Sequence, residues 1–448
     1  MPAPMNRLTP DDDLFRRVDR LFGSVIVNQF ALLFDRPLDR EVVRTFHAHL
    51  AAGFLARRVV TSRIPLARPW WQPALSSIPL VWQQDPVGAD ALVDWLADQA
   101  EATFDPETGR LWRLSVAPYG TGSVLSLVIS HIAADGSGAV GAIGDALARV
   151  AADLPVSRAD SSGALVGAAP ERGLWRRNLA DATGQFWAIT TGIVRAVRAR
   201  GITEPPRPPR PHDTVVPMGE RFHPAEVIVN LPLAQWEHVA AANGGTANGL
   251  MLGAALGVLG RSGRIRDGDL ARIEIPRSLR GPDDPRGNAT TGIPISVPYR
   301  KGELADLGAI RSATKAAITA YDDPARIPPL QHLQPLQMVI PDAVARRLAR
   351  TSTAPLCLCT NLGSAAGPLL HLGADRARAV LLRPMLKEAE TEMYRRTEAG
   401  LNMSWCSDGE QVFLAVTAAD PDHFPTRAAL RGFVEEEFAA WSLSPVFW

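Results

Sequence analysis

Short apolar runs, each closed by Gly, Pro or a polar cluster, divide the chain into strand-like and helix-like pieces. A helix begins near residue 11. Val25 to Phe34 (VIVNQFALLF) is rich in strand formers and ends before Pro37, and Arg40 to Arg57 then carries apolar residues at helical spacing. The stretch around Trp70, Trp71 and Trp82 is punctuated by prolines and reads as irregular edge structure. Ala91 to Ala102 predicts a helix with Val93 and Leu96 on one face. Leu111 to Ala117 and Ser123 to Ile129 are apolar runs separated by Tyr119-Gly120-Thr121-Gly122, which predicts a hairpin. A helical register over Ala139 to Leu154 follows, then a small, polar stretch over 155–173 that reads as loop. Leu174 to Arg200 is amphipathic and arginine-bearing; it predicts a surface helix and leaves a membrane-surface role open.

Residues 204–211 (EPPRPPRP) block both helix and sheet and favour extended chain. They place a linker at 204–212 between an N-terminal half, 1–203, and a C-terminal half, 213–448. Two domains also suit a chain of 448 residues. The second half predicts strands at Glu226 to Leu231, Ala271 to Ile275, Ile293 to Val297, Cys357 to Asn361 and Val412 to Val416, with a helix over Asn248 to Leu259. Both halves mix strands and helices, so the fold class is α/β with mixed sheets.

Charge removes some partners from consideration. Lys+Arg and Asp+Glu both number 47, so no net field gathers nucleic acid. Three cysteines, Cys357, Cys359 and Cys406, do not make a disulfide framework, and no second pair completes a zinc site with the first two. His47 and His49, two apart on a helix, point to different faces. No metal is expected. The N-terminal MPAPMNRLTPDDD lacks the apolar core of a signal peptide, and the longest apolar stretch, Gly249 to Gly260, is too short to span a bilayer. A cytoplasmic protein is expected.

The segment that points to chemistry is Ser130-His131-Ile132-Ala133-Ala134-Asp135-Gly136, between a buried strand and a helix. A loop at a strand end can aim side chains into a cleft while rigid elements hold it. A histidine there can change protonation near neutral pH, as a general base requires. Asp135 can fix the loop through an ion pair, Asp135 or Ser137 can cap the next helix, and Gly136 allows a positive φ or a close backbone approach. Two plainer readings accompany this one: a satisfied histidine at a strand end, and an ordinary Asp-Gly turn. Gly136 to Gly141 (GSGAVG) also fits the glycine fingerprint of a nucleotide-dependent oxidoreductase, with Asp153 or Asp160 as its acid. HIAAD, however, separates it from the strand.

SHIAADG resembles the HHxxxDG motif of non-ribosomal peptide synthetase condensation domains, polyketide-associated acyltransferases, and wax ester synthase/diacylglycerol acyltransferases. Chloramphenicol acetyltransferase keeps only its H-x-x-x-D-G core. Gly245 to Arg261, Ile275 to Arg280 with Gly287-Asn288, Thr360 to Pro368, and Leu401 to Asp420 with its Ser407-Asp408-Gly409 turn resemble wax synthase segments in the same order, from roughly residue 12 to 425. Ser130 departs from the first histidine of the pair, Gly249 from an aspartate, and Thr360 to Pro368 matches imperfectly.

The resemblance implies two chloramphenicol acetyltransferase-like halves in a V with a central channel. It implies an acyltransferase with His131 as general base, without metal or redox cofactor. The donor is acyl-CoA or a phosphopantetheinyl acyl carrier protein, and the acceptor a small molecule or lipid, an alcohol rather than an amine. Asp135 and Gly136 are structural, Asp135 pairing with Arg280. Ser130 and Asn288 are expected at the site, Asn288 as lining, oxyanion donor or plain Gly-Asn turn, and Asn361 as a turn residue. The rival expectation is a non-catalytic module that docks carrier proteins.

Overall fold

The computed structural model describes residues 6–22, 26–156, 173–199, 219–281, 284–323, 329–349 and 354–448. The Pro-rich linker at 204–212 lies outside the described residues, as does most of the loop expected over 155–173.

Two mixed sheets organise the chain. The first has six strands, in the order His371–Leu372, Asp375–Leu386, Ile26–Phe34, Gly122–Ser130, Trp112–Tyr119 and Val81–Trp82. The second has seven, in the order Thr290–Pro298, Leu270–Ser278, Cys357–Asn361, Leu401–Ser407, Gln411–Ala418, Ala225–Pro232 and Val446–Phe447. Pairing is antiparallel apart from Val81–Trp82 beside Trp112–Tyr119, and Cys357–Asn361, which runs parallel to both its neighbours. Ile26–Phe34 and Gly122–Ser130 are buried almost throughout, which is why they read as continuous apolar runs rather than alternating ones.

Helix α1 (Pro10–Phe22) opens the described chain; α2 (Arg40–Ala52), α3 (Leu92–Ala100) and α4 (Gly136–Ala151) follow in the first half. In the second half the helix Ala247–Arg261 is apolar on every side and buried in the second core. Both halves are α/β, as expected.

The halves are not separate along the chain. Asp375–Leu386, from well beyond the linker, pairs with Ile26–Phe34 over its full length. The first core also takes in Ile228, Cys406, Phe413 and Ala415 of the second sheet. Arg383 on the crossing strand is buried with Glu226 of the second sheet, Nη1 to Oε2 2.7 Å, and donates Nε to Gln29 Oε1 at 2.9 Å. Removing either partner of such a buried pair would leave an uncompensated charge in the core.

Two local readings need correction. The helix expected over Arg40 to Arg57 ends at Ala52, and Arg57 begins a strand, Arg57–Val60. Trp70 and Trp71 are not irregular edge: Trp70–Pro73 pairs with Arg57–Val60, and both indoles are buried. The prolines bracket this short strand instead of preventing it.

Candidate active site

The site grows from two helix starts and one turn. Gly122–Ser130 leaves the core, and residues 131–134 turn before α4 begins. Three carbonyls of that turn point away from any ladder and need donors. Asn288 Nδ2 donates to His131 O at 2.9 Å, Asn28 Nδ2 to Ala134 O at 2.9 Å, and Arg57 Nη2 to Ala133 O. Arg57 is fully buried between the rings of Phe54 and Trp71, and burial pushes its pKa down to about 9. The tryptophan-bearing strand therefore helps hold the histidine turn.

Asp135 ends the turn. Its Oδ1 accepts from Gly138 N at 2.7 Å and so caps α4, as expected. The same carboxylate receives Arg280 Nη2 at 3.0 Å on each oxygen, Ala289 N at 2.7 Å and Thr290 Oγ1 at 3.0 Å. Arg280 also donates to the carbonyls of Asp284, Arg286 and Gly287. One carboxylate and one guanidinium thus join the motif to the 280–290 segment of the second half. The pairing of Asp135 with Arg280 is as the resemblance implied. The glycine expectation shifts: Gly136 has no positive φ and lies against Leu362, whereas a Cβ on Gly138 would stand 2.8 Å from Arg280 Nη2. Gly138 is what lets the arginine reach the aspartate.

Helix α1 supplies the other side. Thr9 Oγ1 accepts from Asp12 N at 3.1 Å while Asp12 Oδ2 accepts from Thr9 N at 2.8 Å, a reciprocal cap with Pro10 as first helical residue. Asp12 is buried, which pushes its carboxyl upward, and its Oδ1 accepts both Asn288 N and Asn288 Nδ2 at 2.8 Å. One turn later Phe15 stacks on the His131 ring, centroids 4.0 Å apart and planes 27° apart.

These parts face a cavity of about 470 Å³ between the halves. Its lining includes Phe15, His131, Gly136, Ser137, Asn288 and Leu362. His131 Nδ1 is buried without a hydrogen-bond partner, which leaves Nε2 as the nitrogen a substrate can reach. Burial lowers the imidazole pKa from its ordinary value, against the pull of the Asp135 carboxylate, which favours the neutral ring. Asp11 also lines the cavity; burial, with Asp12 alongside, pushes it up to about 6.

Other expected residues fall as follows. Ser130 is fully buried with its hydroxyl unpaired and does not line the cavity, because it alternates with His131 across the strand end. Asn288 lines the cavity, but both uses of its Nδ2 are inward, so it anchors the turn rather than serving an oxyanion. Asn361 Oδ1 accepts from Gly363 N at 2.7 Å, a turn contact, as expected. Gly136 to Gly141 is the start of α4 after an antiparallel strand, so it is not the fingerprint of a parallel dinucleotide unit, and the oxidoreductase reading fails. His47 Nε2 lies 2.9 Å from Ile78 O, His49 is buried elsewhere on α2, and Cys357 and Cys359 are buried 3.6 Å apart. Among the described residues no group of three His, Cys, Asp or Glu is placed to hold a metal. The reading from sequence missed Asp11, Asp12, Phe15 and Arg57. The T-P-D-D run at 9–12 carried a capping signal that could have placed the first three.

No family model and no curated protein matches the chain. Solved structures share its fold. The first condensation domain of the CDA synthetase aligns over 100% of both chains, with a TM-score of 0.63 and 14% identity. The condensation domain of the Monacolin K polyketide synthase MokA covers 98% of this chain and 97% of its own, with a TM-score of 0.61 and 13% identity. A mutant starter condensation domain of rhizomide synthetase RzmA, solved with C8-CoA and Leu-SNAC, covers 98% and 94%, with a TM-score of 0.58 and 13% identity. At these identities the likeness is one of fold: two chloramphenicol acetyltransferase-like halves with a cleft between them, as expected.

Proposed function

We propose that this condensation-domain fold is an acyltransferase in which His131 moves a proton while an acyl group passes from a thioester to an acceptor hydroxyl or, less favoured, an amine. The observation that carries the reading is His131 itself: stacked on Phe15, held by its backbone, and opening Nε2 to a cavity between two halves.

In the proposed step, Nε2 takes the proton of the acceptor O–H or N–H as that atom attacks the thioester carbonyl. The carbonyl π pair moves to oxygen. The backbone N–H groups of Gly136 and Ser137, in the first turn of α4, have no intrahelical partner and lie on the cavity wall, so they suit the developing oxyanion. The oxyanion then re-forms the carbonyl, the C–S bond breaks, and imidazolium returns its proton to the thiolate. A general base contributes ~10²–10⁴ in rate, and holding both substrates in one cleft supplies the rest through proximity. The step draws on no metal or redox group.

The donor is an acyl-CoA or the acyl-pantetheinyl arm of a carrier protein. The RzmA relative bound to C8-CoA and Leu-SNAC supports a thioester in such a cleft. The cavity volume fits a small or lipid-like acceptor. The test is thiol release from a ladder of acyl-CoA thioesters, with and without mixed alcohols and amines, repeated with an acyl-loaded carrier protein. Acceptor-dependent release is expected from one donor form. Carrier binding without turnover would replace the enzyme with a docking module.

A further inference from the structure

The helix Leu174–Arg198 is inside-out. Its buried residues are Asn178, Ala182, Gln185 and Gly192, all small or polar. Its large apolar side chains point outward: Trp175 is 65% and Trp187 66% exposed, and Leu179, Phe186, Ile193, Val194 and Val197 are exposed too. At 3.6 residues per turn these seven fall within about 120° of arc. An ion pair and a hydrogen bond hold the helix in this orientation. Arg68 Nη2 meets Asp181 at 2.8 Å, and Arg7 Nη2 donates to Asn178 Oδ1 at 2.7 Å. Gly192 backs onto His332 O so closely that a Cβ there would stand 2.3 Å from it. The apolar stripe is thus turned out by the packing of the opposite face.

The charges beside the stripe have one sign. Arg176, Arg195 and Arg198 are exposed and follow its edge, about 100–200° around from Trp175. The single acid of the helix, Asp181, is turned inward and paired. Two tryptophans and a phenylalanine over an apolar strip, edged by arginine and free of outward acid, match the boundary of an anionic bilayer. There indole rings settle at headgroup depth and guanidinium groups meet phosphate. No helix among the described residues is long and apolar enough to cross a membrane.

We propose that this helix docks the protein, lying flat, on an anionic lipid surface. The proposal is independent of the reaction at His131. The experiment is flotation of the full chain with phosphatidylcholine vesicles, with and without a third of phosphatidylglycerol, while tryptophan emission is followed. Binding to the anionic vesicles with a blue shift is expected. Trp175→Ser with Trp187→Ser should weaken it about tenfold or more, since affinity follows buried apolar area. Arg195→Gln with Arg198→Gln should weaken it roughly 30-fold. All four positions are exposed, and circular dichroism identifies any variant that misfolds. Equal binding to both vesicle types, or no binding by folded wild-type protein, overturns the proposal. So does self-association or carrier-protein capture that the tryptophan changes abolish while vesicle binding is absent.

Discussion

Asp135→Asn isolates what the motif aspartate does, because it removes charge and one acceptor while keeping shape. In the structure Oδ1 accepts from Gly138 N and Arg280 Nη2, and Oδ2 accepts from Ala289 N, Thr290 Oγ1 and Arg280 Nη2. An amide must place its NH₂ on one of these two sides. Toward the α4 cap it would face two donors. Toward Ala289 the Thr290 hydroxyl can rotate and accept, but the Ala289 N–H and the guanidinium cannot. Breaking a buried pair costs about 3–5 kcal/mol. Arg280 keeps three carbonyls, so the loss belongs near the lower end of that range. Urea denaturation of wild type, Asp135→Asn, Arg280→Met and the double variant measures it, and the double variant should cost less than the two singles summed. Thiol release should fall as well, since Ala289 and Thr290 no longer hold the second half against the motif. If Asp135→Asn is as stable as wild type and fully active, the structural role of this residue is wrong.

Other expectations concern the same cleft. The acid limb of kcat/KM should have its midpoint below about 6.5, because burial lowers the His131 pKa and protonation removes the base. The same depression means stability from this group is present above the unfolded value and is lost as pH falls through the folded one. Asp11→Asn should leave that limb in place while removing a second group that titrates at about 6. Phe15→Ala removes the ring stacked on His131 and should lower kcat/KM by about 2- to 12-fold without unfolding the chain; an unchanged pH profile and rate would mean the stack is incidental. Gly287→Ala puts a Cβ 2.6 Å from Asp12 Oδ1 and should cost about 1–3 kcal/mol, read by urea, with weakened turnover.

The continuous strands were legible because burial on both faces leaves an apolar run whose ends are marked by turns: Ile26–Phe34 and Gly122–Ser130 are cases. The hairpin at Gly120 was legible because its φ of 57° suits glycine. Asp375–Leu386 was not, since its outer residues are charged and its partner lies some 350 positions away in sequence, a pairing no local pattern contains. The site divides in the same way. His131, Asp135 and Arg280 were visible as spaced residue types with an order along the chain. Arg57, Asp12 and Phe15 reach the turn through tertiary packing: the T-P-D-D run marks a helix start that carries Asp12 and Phe15, but not the turn it packs against, and a lone arginine carries no mark at all. Ser130 was misplaced because a one-residue step along a strand reverses the side chain's face.

The central claim is that His131 Nε2 carries the proton in acyl transfer. Its most direct measurement is acceptor-dependent thiol release by wild type and His131→Ala side by side, on the thioester donor that wild type uses, with urea midpoints recorded for both. The account predicts matched stability and a loss of ~10²–10⁴ in rate for the variant. Equal release by both proteins would remove His131 as the base.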